Sequence, residues 1–185
     1  MKDILCLVAH PDDETLWAGG SIIRYIMLGR QVTVICCSIP RRPSEIMRAY
    51  EYFEACRILG AFAKLFPYTE TGPSEHLPIR ITPKELNQYK LILTHGPKGE
   101  YGHQHHKDLF QFVRINAKVP FHTFGFGGGD VKIPLTATVF SQKMAALKCY
   151  QAHMTGQSKV EALKKRYPIC VSQVETFDIW EPPHV

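Results

Sequence analysis

Ile4-Leu5-Cys6-Leu7-Val8-Ala9 is an unbroken apolar run, and His10-Pro11-Asp12-Asp13-Glu14 follows it at once. A continuous run of this length reads as a strand buried on both faces, the habit of a parallel sheet covered by helices. The period then changes. From about Thr15 to Leu28 the apolar residues Leu16, Ile22, Ile23, Ile26 and Met27 fall on one side of a helix, and Gly29 stands where its C-cap is expected. The opening unit is thus a buried strand that turns into a helix through one imidazole and three carboxylates.

Working outward, the alternation repeats. Val32 to Cys37 reads as a second strand, and Pro43-Ser44 opens a helix carrying Ile46, Met47, Tyr50, Phe53, Ile58 and Leu59 that Gly60 closes. Phe62 to Phe66 is a weaker third strand, and 67–81, with three prolines, is loop. Thr82-Pro83-Lys84-Glu85 has the form of a capping box with proline at the first helical position. Lys90 to Thr94 is another strand, and after the glycine-rich turn of 96–102 a helix is expected from about His105 to Ala117. Strands are expected near His122 to Phe126, Ala137 to Phe140 and within Val171 to Trp180, with Ser141 capping a helix that runs to about His153. Strands alternating with helices predict one α/β domain over 1–185, a three-layer α/β/α, Rossmann-like arrangement with a mainly parallel sheet and right-handed crossovers. Ligands of such sheets bind beyond the carboxyl ends of the strands.

Composition narrows the class. The 185 residues, 45% hydrophobic and with a net charge of +5, are those of an ordinary globular domain. Arg41-Arg42 and Lys164-Lys165-Arg166 are too short and scattered for a nucleic-acid patch and read as solvated surface. No apolar stretch reaches the length needed to insert in a membrane. Six cysteines without a C-x-x-C pair point to a reducing compartment, with the cytoplasm as the expected location. Oligomerisation is compatible with all of this.

Both polar clusters follow a strand. Helix-dipole attraction accounts for Asp13 and Glu14 but poorly for His10 and Asp12. The second cluster, Gly102-His103-Gln104-His105-His106, places three imidazoles in four residues, and His103 and His106 are spaced to share a helix face. Two histidines with one carboxylate and an open position form the usual ligand set of catalytic zinc, and also that of non-haem iron(II).

Ala9-His10-Pro11-Asp12-Asp13-Glu14 resembles the signature of the PIG-L/LmbE-like N-deacetylases. Gly19-Gly20, then Arg48, Glu51, Ala55 and Leu59-Gly60, then Tyr101-Gly102-His103 with His106, Lys143 to Leu147, and Glu175-Thr176-Phe177 are similar to later landmarks in the same order. The resemblance implies a zinc-dependent hydrolase that removes an acetyl group from an N-acetylated amino sugar or its conjugate. It implies His10, Asp13 and His106 as metal ligands and Asp12 as general base. His103 and Tyr101 would stabilise the oxyanion, His103 would also protonate the leaving amine, and Arg48 would contact substrate. With Arg41 and Arg42 on the same sheet edge, Arg48 predicts a phosphate or carboxylate beside the sugar. Three departures stand out: His105 replaces the usual aspartate of the second motif, the loop Ser38 to Pro43 is short and basic, and the chain has no long insertions. An imidazole there is expected to depress the pKa of His103, with Asp108 or Glu100 as the other groups able to orient that ring. An amidase on a non-sugar substrate and a metal-binding domain without turnover are the competing readings.

Overall fold

The apolar run at the start of the chain lies inside a seven-stranded sheet of order β4-β2-β1-β6-β7-β9-β8. The computed structural model describes residues 1–40, 45–66, 69–70, 76–126, 128–150 and 172–182. In chain order the elements are β1 (Lys2–Val8), α1 (Asp13–Met27), β2 (Val32–Cys36), β3 (Ile39–Pro40), α2 (Glu45–Leu59), β4 (Phe62–Leu65), β5 (Thr69–Glu70), α3 (Pro83–Leu86), β6 (Tyr89–Thr94), α4 (Gly99–Gly102), α5 (Gln104–Asn116), β7 (Phe121–Phe124), β8 (Val131–Pro134), α6 (Ala137–Leu147) and β9 (Val174–Trp180). Strands β4, β2, β1, β6 and β7 run parallel, while β9 is antiparallel to both β7 and β8. The two-residue β3 and β5 form a separate parallel ladder.

Alternation along β1 divides the core. Ile4, Cys6 and Val8 pack with α1, α2 and α6 on one face, and Leu5, Leu7 and Ala9 pack with α3 and α5 on the other. This is the expected three-layer sandwich. The capping box at Thr82 also forms, with Glu85 N–H donating to Thr82 Oγ1 and the Glu85 carboxylate accepting from Thr82 N–H.

Two expectations need correction. Ala137 to Phe140 is the first turn of α6 rather than a strand, and its cap is Thr136, whose side chain accepts from Val139 N–H, rather than Ser141. Val139 and Phe140 are β-formers by propensity, but tertiary packing overrides a propensity of that size. The strand lies earlier, at β8, with burial alternating along it. The helix opening expected at Pro43-Ser44 falls outside the described residues, and α2 is described from Glu45. The late helix expected to run to about His153 instead stops at Leu147, with Lys148 as its C-cap and 148–150 non-helical, while 151–153 lie outside the described residues.

A buried ion pair joins the layers. Lys143 Nζ, on α6, donates to Glu175 Oε1 at 2.7 Å and to the Leu16 carbonyl at 3.0 Å. The same carboxylate accepts from Gly20 N–H, Ser21 N–H and Ser21 Oγ of α1 at 2.6–2.8 Å. Gly20 is needed beside it, because a Cβ there would lie 2.5 Å from both Leu135 Cδ atoms. This network fixes α1, and so the site at its N-terminus. Lys143→Met would leave the Glu175 carboxylate buried without its cation, so a loss of about 3–5 kcal/mol in urea unfolding is expected. An unchanged unfolding midpoint would contradict that role.

Candidate metal centre

The parallel pairing of β1 with β6 sets two strand ends side by side. Beyond Val8 the chain is held by Ser38, whose N–H and hydroxyl both donate to the Ala9 carbonyl. It then reverses through Asp12, at φ +119°, into α1, which places Asp13 in the first helical turn. Beyond Thr94 comes His95, and the chain doubles back through Gly99 (φ +64°) and Glu100 (φ +52°). His103 then caps α5, its Nδ1 accepting from His105 N–H at 3.3 Å, and His106 sits in the first turn of that helix.

Three donor atoms converge where these segments meet. His10 Nδ1 is 3.3 Å from Asp13 Oδ2, His106 Nε2 is 3.4 Å from the same oxygen, and the two ring nitrogens are 3.3 Å apart. A tetrahedral ion with bonds of about 2.0–2.1 Å spaces its donors roughly 3.3–3.4 Å apart, so the residues present fit a zinc-like ion. All three side chains are buried; burial alone would raise the Asp13 carboxyl, but the His106, His95 and His10 rings around it outweigh burial and hold it well below its ordinary range. Two overlapping groups of potential donors exist, His10 with His103 and His106, and Asp13 with His95 and His106. His95 Nε2 already accepts Ala9 N–H at 3.1 Å, which commits its lone pair.

Asp12 stands beside the cluster, gripped from two sides. Arg48 Nη2 donates to Asp12 Oδ2 at 3.1 Å and to the Pro11 carbonyl at 2.8 Å. The Asp12 N–H donates to Glu14 Oε2 at 3.1 Å, and the other Glu14 oxygen accepts from Thr15 Oγ1 and from Tyr150 OH. Burial pushes the Glu14 carboxyl up to about 7. Glu14 thus holds the backbone of the turn. Arg48, expected at the substrate, is buried and directed at Asp12.

In the second cluster His103 and His106 face one spot as their spacing implies, their rings stacked with centroids 4.9 Å apart. His103 is half-buried, 4.6 Å from His10 between ring centroids. Burial first, then the neighbouring His10, His106 and His105, push its pKa down to about 4. With Nδ1 accepting from the helix, the neutral ring carries its proton on Nε2. His105 turns to His10, its Nδ1 lying 3.1 Å from His10 Nε2, so it backs that ring as well as bordering His103. Asp108 is occupied with His76, Leu77 N–H and Gln104. Tyr101, exposed, lies edge-on to His103 and His106 at the rim. Arg41 and Arg42 lie outside the described residues. His95 escaped the sequence reading, although a histidine directly after a buried strand was a signal.

A three-layer α/β/α domain with imidazole and carboxylate donors at the carboxyl ends of adjacent parallel strands is the build of a metal-centred α/β enzyme. The chain belongs to the PIG-L family, whose model, described as GlcNAc-PI de-N-acetylase, matches residues 5–116. A relative from Rhodococcus erythropolis named 1D-myo-inositol 2-acetamido-2-deoxy-alpha-D-glucopyranoside deacetylase is 26% identical over 144 residues, 57% of this chain and 49% of its own. The chain therefore spans about half the length of that curated relative, and less of others that it matches over shorter stretches. Among solved structures, the N,N'-diacetylchitobiose deacetylase of Pyrococcus horikoshii superposes with a TM-score of 0.72 at 17% identity, over 97% of this chain and 84% of that one. The 4-carboxy-2-hydroxymuconate hydratase of Pseudomonas putida shares the fold as well, with a TM-score of 0.66 at 21% identity, over 100% and 98% of the two chains.

Proposed function

We propose that the chain is a zinc-dependent hydrolase that removes the acetyl group from an N-acetylated amino sugar or its conjugate. The observation that carries this reading is the triangle of His10 Nδ1, Asp13 Oδ2 and His106 Nε2, with edges of 3.3–3.4 Å and Asp12 held beside it. Bound zinc supplies Lewis acidity to an acyl oxygen and brings the pKa of a water from about 15.7 to about 7. Asp12, oriented by Arg48, takes a proton from the attacking water. His103, neutral with its proton on Nε2, and Tyr101 at the rim donate hydrogen bonds to the oxygen on which charge develops. Because the neutral His103 is a poor acid, the departing amine takes the proton collected by Asp12, in place of the one that the resemblance assigns to His103. Iron(II) fits the same donors. Arg41 and Arg42 are proposed to meet an anionic group on the substrate. The five described cysteines are unpaired, which supports a reducing location such as the cytoplasm. No described helix is long and apolar enough to cross a membrane.

The hydratase neighbour favours one second reading, addition of water to a carbon–carbon double bond at the same centre. The two reactions differ in product. Zinc-loaded protein incubated with a panel of N-acetylated amino sugars, neutral and phosphorylated, is expected to release free amine and acetate in equal amounts. Absence of amine release from every member would contradict the deacetylase reading. If a double alanine substitution at Arg41 and Arg42 leaves KM for the best substrate unchanged, the anionic group is excluded.

A further inference from the structure

We infer that Glu100 is a positioning residue of the centre, holding two imidazoles in one tautomer and thereby setting the metal affinity of His106. The inference rests on the metal reading of His10, Asp13 and His106, and not on the reaction. Glu100 Oε2 faces the Nδ1 atoms of both His95, at 2.9 Å, and His106, and its Oε1 accepts Gly96 N–H at 2.8 Å. The His95 and His106 side chains are fully buried, and that of Glu100 is buried with them. An ionised carboxylate only accepts, so each ring must place a proton on Nδ1. That leaves both Nε2 lone pairs free to accept. His106 directs its own at Asp13 Oδ2 and His10 Nδ1, and His95 takes Ala9 N–H, the residue before His10. One carboxylate thus ties the end of β6, the start of α5 and, through His95, the end of β1.

The backbone supports the same assignment. Among the described residues only Asp12 and Glu100 are non-glycine residues with positive φ. Such conformations are unfavourable for a side-chain-bearing residue and persist where the surroundings fix them, commonly at functional sites. Gly99, also at positive φ, has no Cβ to meet Lys107 Cγ, which would lie 3.0 Å away. The consecutive left-handed residues turn the Glu100 side chain back beneath both rings.

Glutamine at position 100 keeps the shape but not the pattern. If its oxygen faces the rings, its amide protons oppose Gly96 N–H; if its amide faces the rings, they must move their protons to Nε2, where His106 needs a lone pair. Loss of such a supporting hydrogen bond commonly weakens metal binding roughly 10–100-fold. The test has two parts, using zinc alone as the probe. First, nitrogen-15 NMR of the zinc-loaded, unaltered protein should place the protons of His95 and His106 on Nδ1; a proton on Nε2 of either ring overturns the inference without any substitution. Second, chelator competition on folded Glu100→Gln should read a zinc affinity lowered roughly 10–100-fold. An affinity unchanged from that of the unaltered protein overturns it. Failure of the unaltered protein to bind zinc overturns this inference and the metal reading together, whereas zinc binding without amine release overturns only the deacetylase reading.

Discussion

Asp13→Ala is expected to empty the centre of its ion and reduce amine release to background. The substitution deletes one of three donors and the only anionic one, so two neutral imidazoles would be left to hold a dication. The cost should exceed the roughly 10–100-fold in affinity that accompanies loss of a supporting hydrogen bond alone. The carboxylate also accepts His10 N–H at 2.9 Å and Trp17 Nε1–H at 3.4 Å, so its removal loosens the ligand next to it. Metal content after dialysis against a mild chelator checks the expectation, with the unaltered protein carried alongside. Retention of a full equivalent by Asp13→Ala would place the ion elsewhere.

Asp12→Asn is expected to do the opposite: keep the ion and lose the reaction. Asparagine can still accept from Arg48 Nη2, which lies 3.1 Å from the native carboxylate, so the turn at φ +119° should persist. What it cannot do is take a proton. General base catalysis commonly contributes ~10²–10⁴-fold, and a fall of that order in kcat with unchanged metal content is the expected result. Near-native turnover would mean that another group accepts the proton.

Much of this was readable in the sequence because it is local. The apolar run Ile4 to Ala9 and the polar residues after it are contiguous, so strand, turn and two donors follow from one stretch. His106 was legible from the density of histidines after a second strand. The support around these residues was not. Ala9 and His95 are 86 positions apart, and their hydrogen bond exists only because β1 and β6 are neighbours. Glu100 looked like part of a glycine-rich turn, and its direction depends on two consecutive positive φ values that no periodicity reveals. Arg48 is expected at the substrate from the resemblance alone. Its helix instead brings it to the start of α1, where Asp12 and the Pro11 carbonyl take its donors. His105 is expected to matter through His103, whose pKa it does help to lower; what the sequence does not show is that its Nδ1 also lies 3.1 Å from His10 Nε2. The helix from Ser141 onward is legible, but its first turn, Ala137–Phe140, reads as a strand because β-branched and aromatic residues stand there, and Thr136 acts as a cap only once the helix is formed.

The position of the ion tests the account most directly. A crystal structure of the zinc-loaded protein, with anomalous data on both sides of the zinc edge, should show one strong peak within about 2.0–2.2 Å of His10 Nδ1, Asp13 Oδ2 and His106 Nε2. A peak bound through His95 Nε2, or fully loaded protein without a peak among these three atoms, would contradict it.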